Sequence, residues 1–197
     1  VFFTNCYANS FRTDRGTVCT FSGYQSFPTV SVMKSPAKSR TLPSIAGKLR
    51  EQGYATDFLY GGDINFTNMK SYLLGSGYQH LTADVDFSIN ERKNPWGVND
   101  DITFEYLYRQ IKERNTDQPW HTAFLTLSSH EPFEVPYHRL KEKIPNAFAF
   151  ADDCLGKFID KLNGKTCLSS ACQTMASIIR KKVWCTTRVF IIFQCCG

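Results

Sequence analysis

The sequence predicts an α/β fold in which a largely parallel sheet is flanked by helices. Short apolar segments rich in aromatic and β-branched residues alternate along the chain with longer segments whose apolar residues recur every three or four positions. Glycine-containing turns separate the two kinds of segment. Alternating strands and helices favour parallel pairing, because each helix returns the chain to the same edge of the sheet. The predicted strands lie within 1–8, 55–63 and 121–129, and the predicted helices within 41–54, 67–78, 100–114 and 146–162.

Each predicted helix has its own support in the sequence. The first has Pro43 in its first turn and Gly53 at its end. The second ends at Gly75 and Gly77. In the last two, apolar residues at helical spacing predict the buried faces. These faces are Ile102, Tyr106 or Leu107, and Ile111 in the third helix, with Asn99 or Asp100 as its cap, and Phe148, Leu155, Ile159 and Leu162 in the fourth.

Composition and charge exclude several classes of protein. Of the 197 residues, 42% are hydrophobic and 21% are charged, which is typical of a globular domain. No apolar run approaches the roughly 20 residues that a transmembrane helix needs. The net charge of +5 lies in the tail, because the five Lys and Arg residues after Gly164 are accompanied by no acidic residue. Residues 1–164 are formally neutral, so we expect no nucleic-acid partner.

Polar segments at 9–16, 61–63 and 128–133 follow the three predicted strands, and strand ends are where α/β folds form their sites. In the first segment, Thr13 lies between Arg12 and Asp14 at the start of a predicted helix. Guanidinium groups and helix N-terminal amides both bind tetrahedral oxyanions. A threonine hydroxyl becomes an effective nucleophile only when a base or a metal lowers its pKa. From these residues alone, Thr13 is either a helix cap or a nucleophile.

Four segments together resemble the sulfatase/alkaline phosphatase superfamily, and in particular its lipoteichoic acid synthase-like branch of phosphoglycerol transferases. In that branch a nucleophilic threonine opens a helix, and a Ser/Thr-Gly pair follows at the distance that separates Thr13 from Ser22-Gly23. Thr13 stands where sulfatases carry the Cys or Ser that becomes formylglycine, and Arg15 falls near the sulfatase arginine. The other three similar segments are 42–78, 96–107 and 124–136.

The resemblance implies a metal-dependent phosphoryl transfer. It implies one divalent ion, Mn²⁺ or Mg²⁺, held by Thr13, an upstream Glu and a downstream Asp-His pair, of which this chain contains only Thr13. Thr13 would take the head group from a phospholipid such as phosphatidylglycerol, and a hydroxyl acceptor would then remove it. By the same resemblance, His130 binds the phosphate or protonates the leaving alkoxide, and Asp63 accepts hydrogen bonds from the head group.

The resemblance also implies a location. The catalytic domain is expected on the extracytoplasmic face of the cell membrane, anchored by helices that precede Val1. The chain is therefore expected to be an internal fragment that cannot turn over by itself.

The sequence departs from the lipoteichoic acid synthase pattern after Asp63. That branch has a Trp-Asn-Arg triplet where this chain reads Thr67-Asn68-Met69, so only Asn68 is retained. Arg12 and Arg15 are the candidates to supply phosphate contacts instead, and the alternative is that one of them simply pairs with Asp14. Two alternatives therefore stay open: a sulfatase-like or phosphoethanolamine-type hydrolase or transferase, and a non-catalytic protein that keeps only the anion pocket.

Five further residues are expected to have structural roles and no part in the reaction. Trp96 is expected to be a buried indole and Asp100 a helix cap, while Cys6, Cys19 and Cys154 are expected to be buried or incidental.

The tail after Asn163 does not match the family. Cys172-Gln173-Thr174-Met175-Ala176 is encoded by TGY CAR ACN ATG GCN, and the frame beginning at the third base can read Pro-Asp-His-Gly. The same offset restores an apolar strand before this motif and a family-like segment after it. We interpret residues 1–163 as a partial catalytic domain, and residues 164–197 as a tail produced by a frame slip near 163–165 and not expected to fold natively.

Overall fold

The computed structural model describes residue 10, residues 12–114 and 117–162, and the backbone of 168–173, 177–179, 182–184 and 189–195. The predicted strand within 1–8 lies outside these residues, as does Cys6. The helices are α1 (Thr13–Ser22), α2 (Pro36–Ser39), α3 (Ile45–Glu51), α4 (Met69–Gly75), α5 (Asp100–Glu113) and α6 (Lys143–Leu162). The strands are β1 (Ala55–Tyr60), β2 (His80–Thr82), β3 (Trp120–Leu125), β4 (Leu168–Gln173), β5 (Ser177–Ile179), β6 (Lys182–Trp184) and β7 (Val189–Cys195).

The main sheet has the strand order β2-β1-β3-β7-β4. Strand β1 lies parallel to both β2 and β3, with Phe58 opposite Leu81 on one side and Ala123 on the other. The helical crossovers between these strands confirm the predicted α/β class and its parallel pairing. Strand β7 pairs antiparallel with β3 and with β4.

The two faces of the sheet are covered by different helices. Phe58 and Leu125 belong to a core cluster that also contains residues of α1 and α4, whereas Leu59 and Phe124 belong to a second cluster with residues of α5 and α6. Successive strand residues point to opposite faces, so β1 and β3 each supply both clusters. The described chain is therefore a three-layer α/β/α arrangement.

Aromatic contacts fix α1 on the first face. The Phe21 ring lies edge-on to Phe58 at 6.2 Å between centroids and contacts Tyr78 at 5.4 Å. The Ser22 and Tyr72 hydroxyls are 2.7 Å apart, which links the end of α1 to α4. With its C-terminal half held in this way, α1 presents its N-terminus in a defined position.

The helix predictions were correct in type and only partly correct in detail. Helix α3 begins after Ser44, whose hydroxyl accepts a hydrogen bond from the Gly47 N–H at 3.0 Å, so Pro43 precedes the helix. In α5, Leu107 and Ile111 are buried as expected. In α6, the buried face consists of Phe150, Cys154 and Phe158 at i, i+4 spacing, and the prediction of Ile159 was wrong because this side chain is 52% exposed.

Cys19 and Cys154 are both buried, as predicted. No helix in the described part of the chain is long and apolar enough to cross a bilayer.

The backbone of the tail contributes β4 and β7 to the main sheet, and β5 and β6 form a separate antiparallel pair. These pairings do not distinguish a natural tail from a frame-slipped one, because backbone hydrogen bonding is available to any sequence. The assignment of 164–197 to a frame slip stays a prediction.

Candidate functional site

Thr13 occupies the first residue of α1. Arg12 precedes it with extended backbone (φ −129°, ψ 141°) and serves as the N-cap, so the cap interpretation of Thr13 was wrong. The Thr13 side chain is largely buried, and its carbonyl accepts a hydrogen bond from the Thr17 hydroxyl at 2.7 Å. The N-terminus of α1 is the positive end of the helix dipole, which makes this end favourable for an anion.

A cleft of about 330 Å³ opens beside the start of α1. Its wall is formed by Arg12, Asp14, Arg15, Thr29, Val30, Ser31 and Lys34. Asp14 is buried and lies 3.7 Å from the Arg12 guanidinium, while the Arg15 guanidinium donates to the Pro28 carbonyl. The structure thus brings the two predicted phosphate-binding arginines to one cleft, on either side of Thr13 in the chain.

Asn68 is joined to this cleft through its neighbours. Its amide donates to the Met33 carbonyl at 3.0 Å, and Met33 directly precedes Lys34 on a short 3₁₀ turn, Val32–Lys34. Asn68 itself has a left-handed backbone (φ 65°), a conformation that asparagine adopts more readily than most residues. This contact gives Asn68 a part in holding the loop that carries Lys34.

Asp63 follows β1 in the turn Gly61-Gly62-Asp63 and is exposed. One of its carboxylate oxygens accepts hydrogen bonds from the Asn65 backbone N–H at 2.8 Å and from the Asn65 amide at 2.9 Å. This is an Asx turn, and it presents the carboxylate in a fixed orientation.

His130 follows β3 and is half-buried. Its Nδ1 lies 2.6 Å from the Glu131 carbonyl. A carbonyl only accepts hydrogen bonds, so this contact places a proton on Nδ1 and leaves contact with a substrate oxygen to Nε2. Tyr60 at the end of β1 is in parallel register with Leu125 at the end of β3. The loops that carry Asp63 and His130 therefore both follow the carboxyl ends of these parallel strands, on the same side of the sheet.

Trp96 contacts His130 directly. The two rings are perpendicular, with centroids 5.2 Å apart, and the indole N–H donates to the Glu131 carbonyl at 2.7 Å. The prediction of a buried indole was wrong, because Trp96 is 47% exposed. Its position against the candidate imidazole was missed because no local sequence signal distinguishes a core tryptophan from one that covers a site.

Asp100 anchors the loop that leads to His130. Its two carboxylate oxygens accept hydrogen bonds from the N–H groups of Leu127 at 2.7 Å and Ser128 at 3.1 Å. Burial raises the pKa of Asp100 to about 6, although these donors act in the opposite direction. The cap of α5 is Asn99, so the assignment of Asp100 as the cap was wrong; its carboxylate tethers the end of β3 instead.

The segment 94–100 joins the two loops at the sheet edge. The Val98 N–H donates to the Gly61 carbonyl at 2.7 Å, and the Asn94 amide donates to the Glu134 carbonyl at 3.2 Å. One rigid segment thus holds the turn that contains Asp63 and the loop that contains His130. Sequence reasoning identified both loops. It gave Asp100 a different role, and it did not single out Ser31 or Lys34, which line the cleft beside α1.

The residues that the structure describes do not by themselves fit a metal ion. Among them there is no group of three or more His, Cys, Asp or Glu side chains arranged to hold one. Thr13 would supply a single oxygen to the ion. The predicted Glu and Asp-His ligands are not among the residues that the structure describes.

Comparison with known proteins agrees with this geometry. Two curated relatives, both named phosphoglycerol transferase I, from Xanthomonas campestris pv. campestris strains B100 and ATCC 33913, are each 27% identical to the chain over 90 residues. The match covers 43% of this chain and 13% of each relative, so the chain corresponds to a small part of their length.

Three solved structures share the fold. A protein of the alkaline phosphatase superfamily from Vibrio parahaemolyticus has a TM-score of 0.73 and 25% identity, with 98% of this chain and 50% of that chain covered. The lipoteichoic acid synthase LtaP from Listeria monocytogenes has a TM-score of 0.74 and 17% identity, with 97% and 55% covered. The phosphoglycerol transferase GacH from Streptococcus pyogenes, in complex with sn-glycerol-1-phosphate, has a TM-score of 0.66 and 15% identity, with 96% and 57% covered.

The chain spans about half the length of these structures. The superfamily named for the Vibrio parahaemolyticus protein is the one that the sequence motifs indicated. The model of the Sulfatase family matches residues 1–167, which include every candidate site residue. The chain therefore belongs to the sulfatase family of hydrolases and transferases, within the alkaline phosphatase superfamily.

Proposed function

We propose that the whole protein is a phosphotransferase that moves a phosphoglycerol-type head group from a phospholipid to a hydroxyl acceptor through a covalent intermediate on Thr13. The observation that carries this proposal is the position of Thr13 at the first residue of α1, between two arginines that line one cleft. Helix N-terminal amides and guanidinium groups stabilise the charge that develops on the phosphoryl oxygens during transfer.

The proposed reaction has two steps. The Thr13 oxygen attacks the phosphorus, and the bond from phosphorus to the diacylglycerol oxygen breaks. The proton lost by Thr13 is balanced by the proton gained by the leaving alkoxide, and His130 is the proposed carrier. The acceptor hydroxyl then displaces Thr13 from the phosphorus, with the opposite proton movement, so that the enzyme is regenerated.

We propose that the whole protein binds one divalent ion, Mn²⁺ or Mg²⁺, as members of this superfamily generally do. A bound ion would lower the pKa of the Thr13 hydroxyl and offset phosphoryl charge. Its remaining ligands would come from outside the described residues. On this proposal the 197-residue chain is inactive and gains no activity from added manganese, and hydrolysis of a phosphodiester by the purified chain with manganese would contradict it.

The loss of the Trp-Asn-Arg triplet supports a second candidate, a phosphoethanolamine-type transferase or hydrolase. Met69, which replaces the Arg, is 1% exposed and belongs to the core, and the Thr67 hydroxyl lies 3.8 Å from the Met33 sulfur. Thr67 has no indole and Met69 has no guanidinium, so neither supplies the group of the residue that it replaces. Head-group selection therefore rests on other residues.

A panel of substrates separates the candidates. The whole protein, with the C-terminal reading frame established from its nucleotide sequence, is assayed on phosphatidylglycerol, phosphatidylethanolamine and an aryl sulfate. We expect turnover of phosphatidylglycerol that Thr13→Val abolishes. Preference for phosphatidylethanolamine would favour the second candidate, and phosphate binding with no turnover of any substrate would favour a non-catalytic anion-binding protein.

We also propose that this domain acts on the extracytoplasmic face of the membrane, anchored by helices outside the chain. The location is periplasmic or extracellular, so the test uses spheroplasts or protoplasts, whose cell wall and any outer membrane have been opened. Added protease should remove the domain from them, and protection of the domain until the inner membrane is lysed would contradict this location.

A further inference from the structure

The cleft beside α1 has two features of an anion-binding site: a net positive charge on its wall and a buried hydroxyl without a hydrogen-bond partner among the described residues. Arg12, Arg15 and Lys34 face a single carboxylate, Asp14, which leaves a formal charge of +2 on the wall. Asp14 is buried against Arg12, so its charge is already compensated. A phosphodiester carries one negative charge, whereas a phosphate monoester approaches two near neutral pH. The wall therefore matches a monoester better than a diester.

Ser31 supplies an independent observation. The residue is 7% exposed and lies on the wall of the cleft, and its hydroxyl has no hydrogen-bond partner among the residues that the structure describes. Buried hydroxyls nearly always have a partner, and leaving one without a partner is costly. An oxygen of a bound phosphate would satisfy this donor.

The loop that carries Ser31 and Lys34 has one internal hydrogen bond and is anchored from outside by two more. The Lys34 N–H donates to the Ser31 carbonyl at 3.2 Å, the Arg15 guanidinium donates to the Pro28 carbonyl, and the Asn68 amide donates to the Met33 carbonyl. Met33 is fully buried. A wall that is ordered before binding avoids the entropic cost of ordering it during binding.

From these observations we propose that Ser31 and Lys34, together with Arg12 and Arg15, form a subsite beside Thr13 that binds a dianionic phosphate monoester. The volume of about 330 Å³ has room for a phosphate carrying a small polyol. This inference deepens the proposed function, because it assigns an acceptor or product that bears its own phosphate monoester. Binding itself requires no reaction at Thr13.

The test is calorimetric titration of the purified chain with inorganic phosphate, glycerol 3-phosphate and dimethyl phosphate. We expect the two dianions to bind and the monoanionic diester to bind at least tenfold more weakly. Tighter binding of glycerol 3-phosphate than of phosphate would identify a polyol ester as the ligand. Equal binding of the two would identify free phosphate as the ligand and overturn the assignment of an acceptor or product.

Variants test the residues. Lys34→Gln should weaken phosphate binding about tenfold and Ser31→Ala about fivefold, the sizes expected for a charge-assisted and a neutral hydrogen bond. Lys34→Arg should restore binding. Lys38 on α2 is also exposed but lies off the cleft, so Lys38→Gln is the matched control and should change little. Unchanged binding in Lys34→Gln, or equal losses in Lys34→Gln and Lys38→Gln, would overturn the subsite.

The outcome is separable from that of the proposed function. Thr13→Val removes the nucleophile and should leave phosphate binding within about twofold of the parent chain. This change is much smaller than the tenfold loss, equivalent to about 1.4 kcal/mol, that is expected for Lys34→Gln. If the whole protein never forms an adduct at Thr13 but the chain binds phosphate through Lys34, the proposed function fails and the subsite stands. If the adduct forms and Lys34→Gln leaves phosphate binding unchanged, the subsite fails and the function stands.

Discussion

Gly97 holds together the two loops of the candidate site, and Gly97→Ala should separate them. Gly97 has φ +137°, a conformation that residues with a side chain rarely adopt. A Cβ at this position would lie 2.0 Å from the Gly61 carbonyl oxygen and 3.1 Å from the Gly62 Cα. Because both obstacles are backbone atoms, neither can move aside by changing a rotamer. The added methyl group must push the Asp63 turn away from the segment that carries Trp96.

The structure sets the size of the effect. Backbone strain of this kind costs about 1–3 kcal/mol. Separation also breaks the 2.7 Å bond from the Val98 N–H to the Gly61 carbonyl and leaves buried groups without partners, which costs about 1–3 kcal/mol more. We expect Gly97→Ala to lower the free energy of unfolding by about 2–6 kcal/mol.

Gly23→Ala is the matched control, because Gly23 also has a positive φ, +63°, but nothing lies within 4 Å of its added Cβ. It should cost only about 1–2 kcal/mol. Urea unfolding followed by tryptophan fluorescence measures both variants. If Gly97→Ala is no more destabilising than Gly23→Ala, the close approach of the two glycine segments is not present in solution and the reasoning about the joined loops is wrong.

Three further predictions concern other parts of the chain. Gly156→Ala should raise the free energy of unfolding by about 0.5–1 kcal/mol, because Gly156 is exposed within α6 and its Cβ would meet nothing within 4 Å; urea unfolding measures the gain, and a loss would mean that this part of α6 is packed. Burial lowers the pKa of His121 to about 4, so the unfolded chain takes up a proton first, and we expect stability to fall by about 3 kcal/mol as the pH falls from 6.5 to 4. His121→Phe should lose this part of the pH dependence, whereas His80→Phe, at an exposed histidine of β2, should keep it; equal slopes in the two variants would contradict the assignment. Burial also raises the pKa of the Cys154 thiol, so iodoacetamide should label Cys154 much more slowly in the native chain than in urea, as peptide mass spectrometry would show, and equal labelling rates would contradict its burial.

The fold was largely predictable from sequence because its signals are local. The strand around Phe58 is a compact apolar segment followed by a glycine turn, and α5 has its apolar residues at helical spacing. The face of α6 was less predictable, because Phe148, Phe150, Leu155, Phe158 and Ile159 supply more apolar residues than one face can bury. Packing against α5 and the sheet selects among them, and that choice depends on contacts between distant segments.

The site was predictable only where one short segment carries its signal. Thr13 with its arginines and His130 stand in motifs that resemble the family, so both loops were found. Lys34 reaches the cleft because Asn68 and Arg15 hold its loop, and those residues lie far from it in the chain. Asp100 has the sequence signature of a helix cap, and only the fold brings the Leu127 and Ser128 N–H groups to its carboxylate.

Trapping the covalent intermediate tests the central claim most directly. The whole protein is mixed with a phosphatidylglycerol analogue, quenched in acid within one turnover and digested with chymotrypsin, since trypsin cuts at both Arg12 and Arg15. We predict a glycerophosphoryl group on the peptide that contains Thr13, absent from Thr13→Val. Full turnover by Thr13→Val, or an adduct mapped to any other residue, would contradict the account.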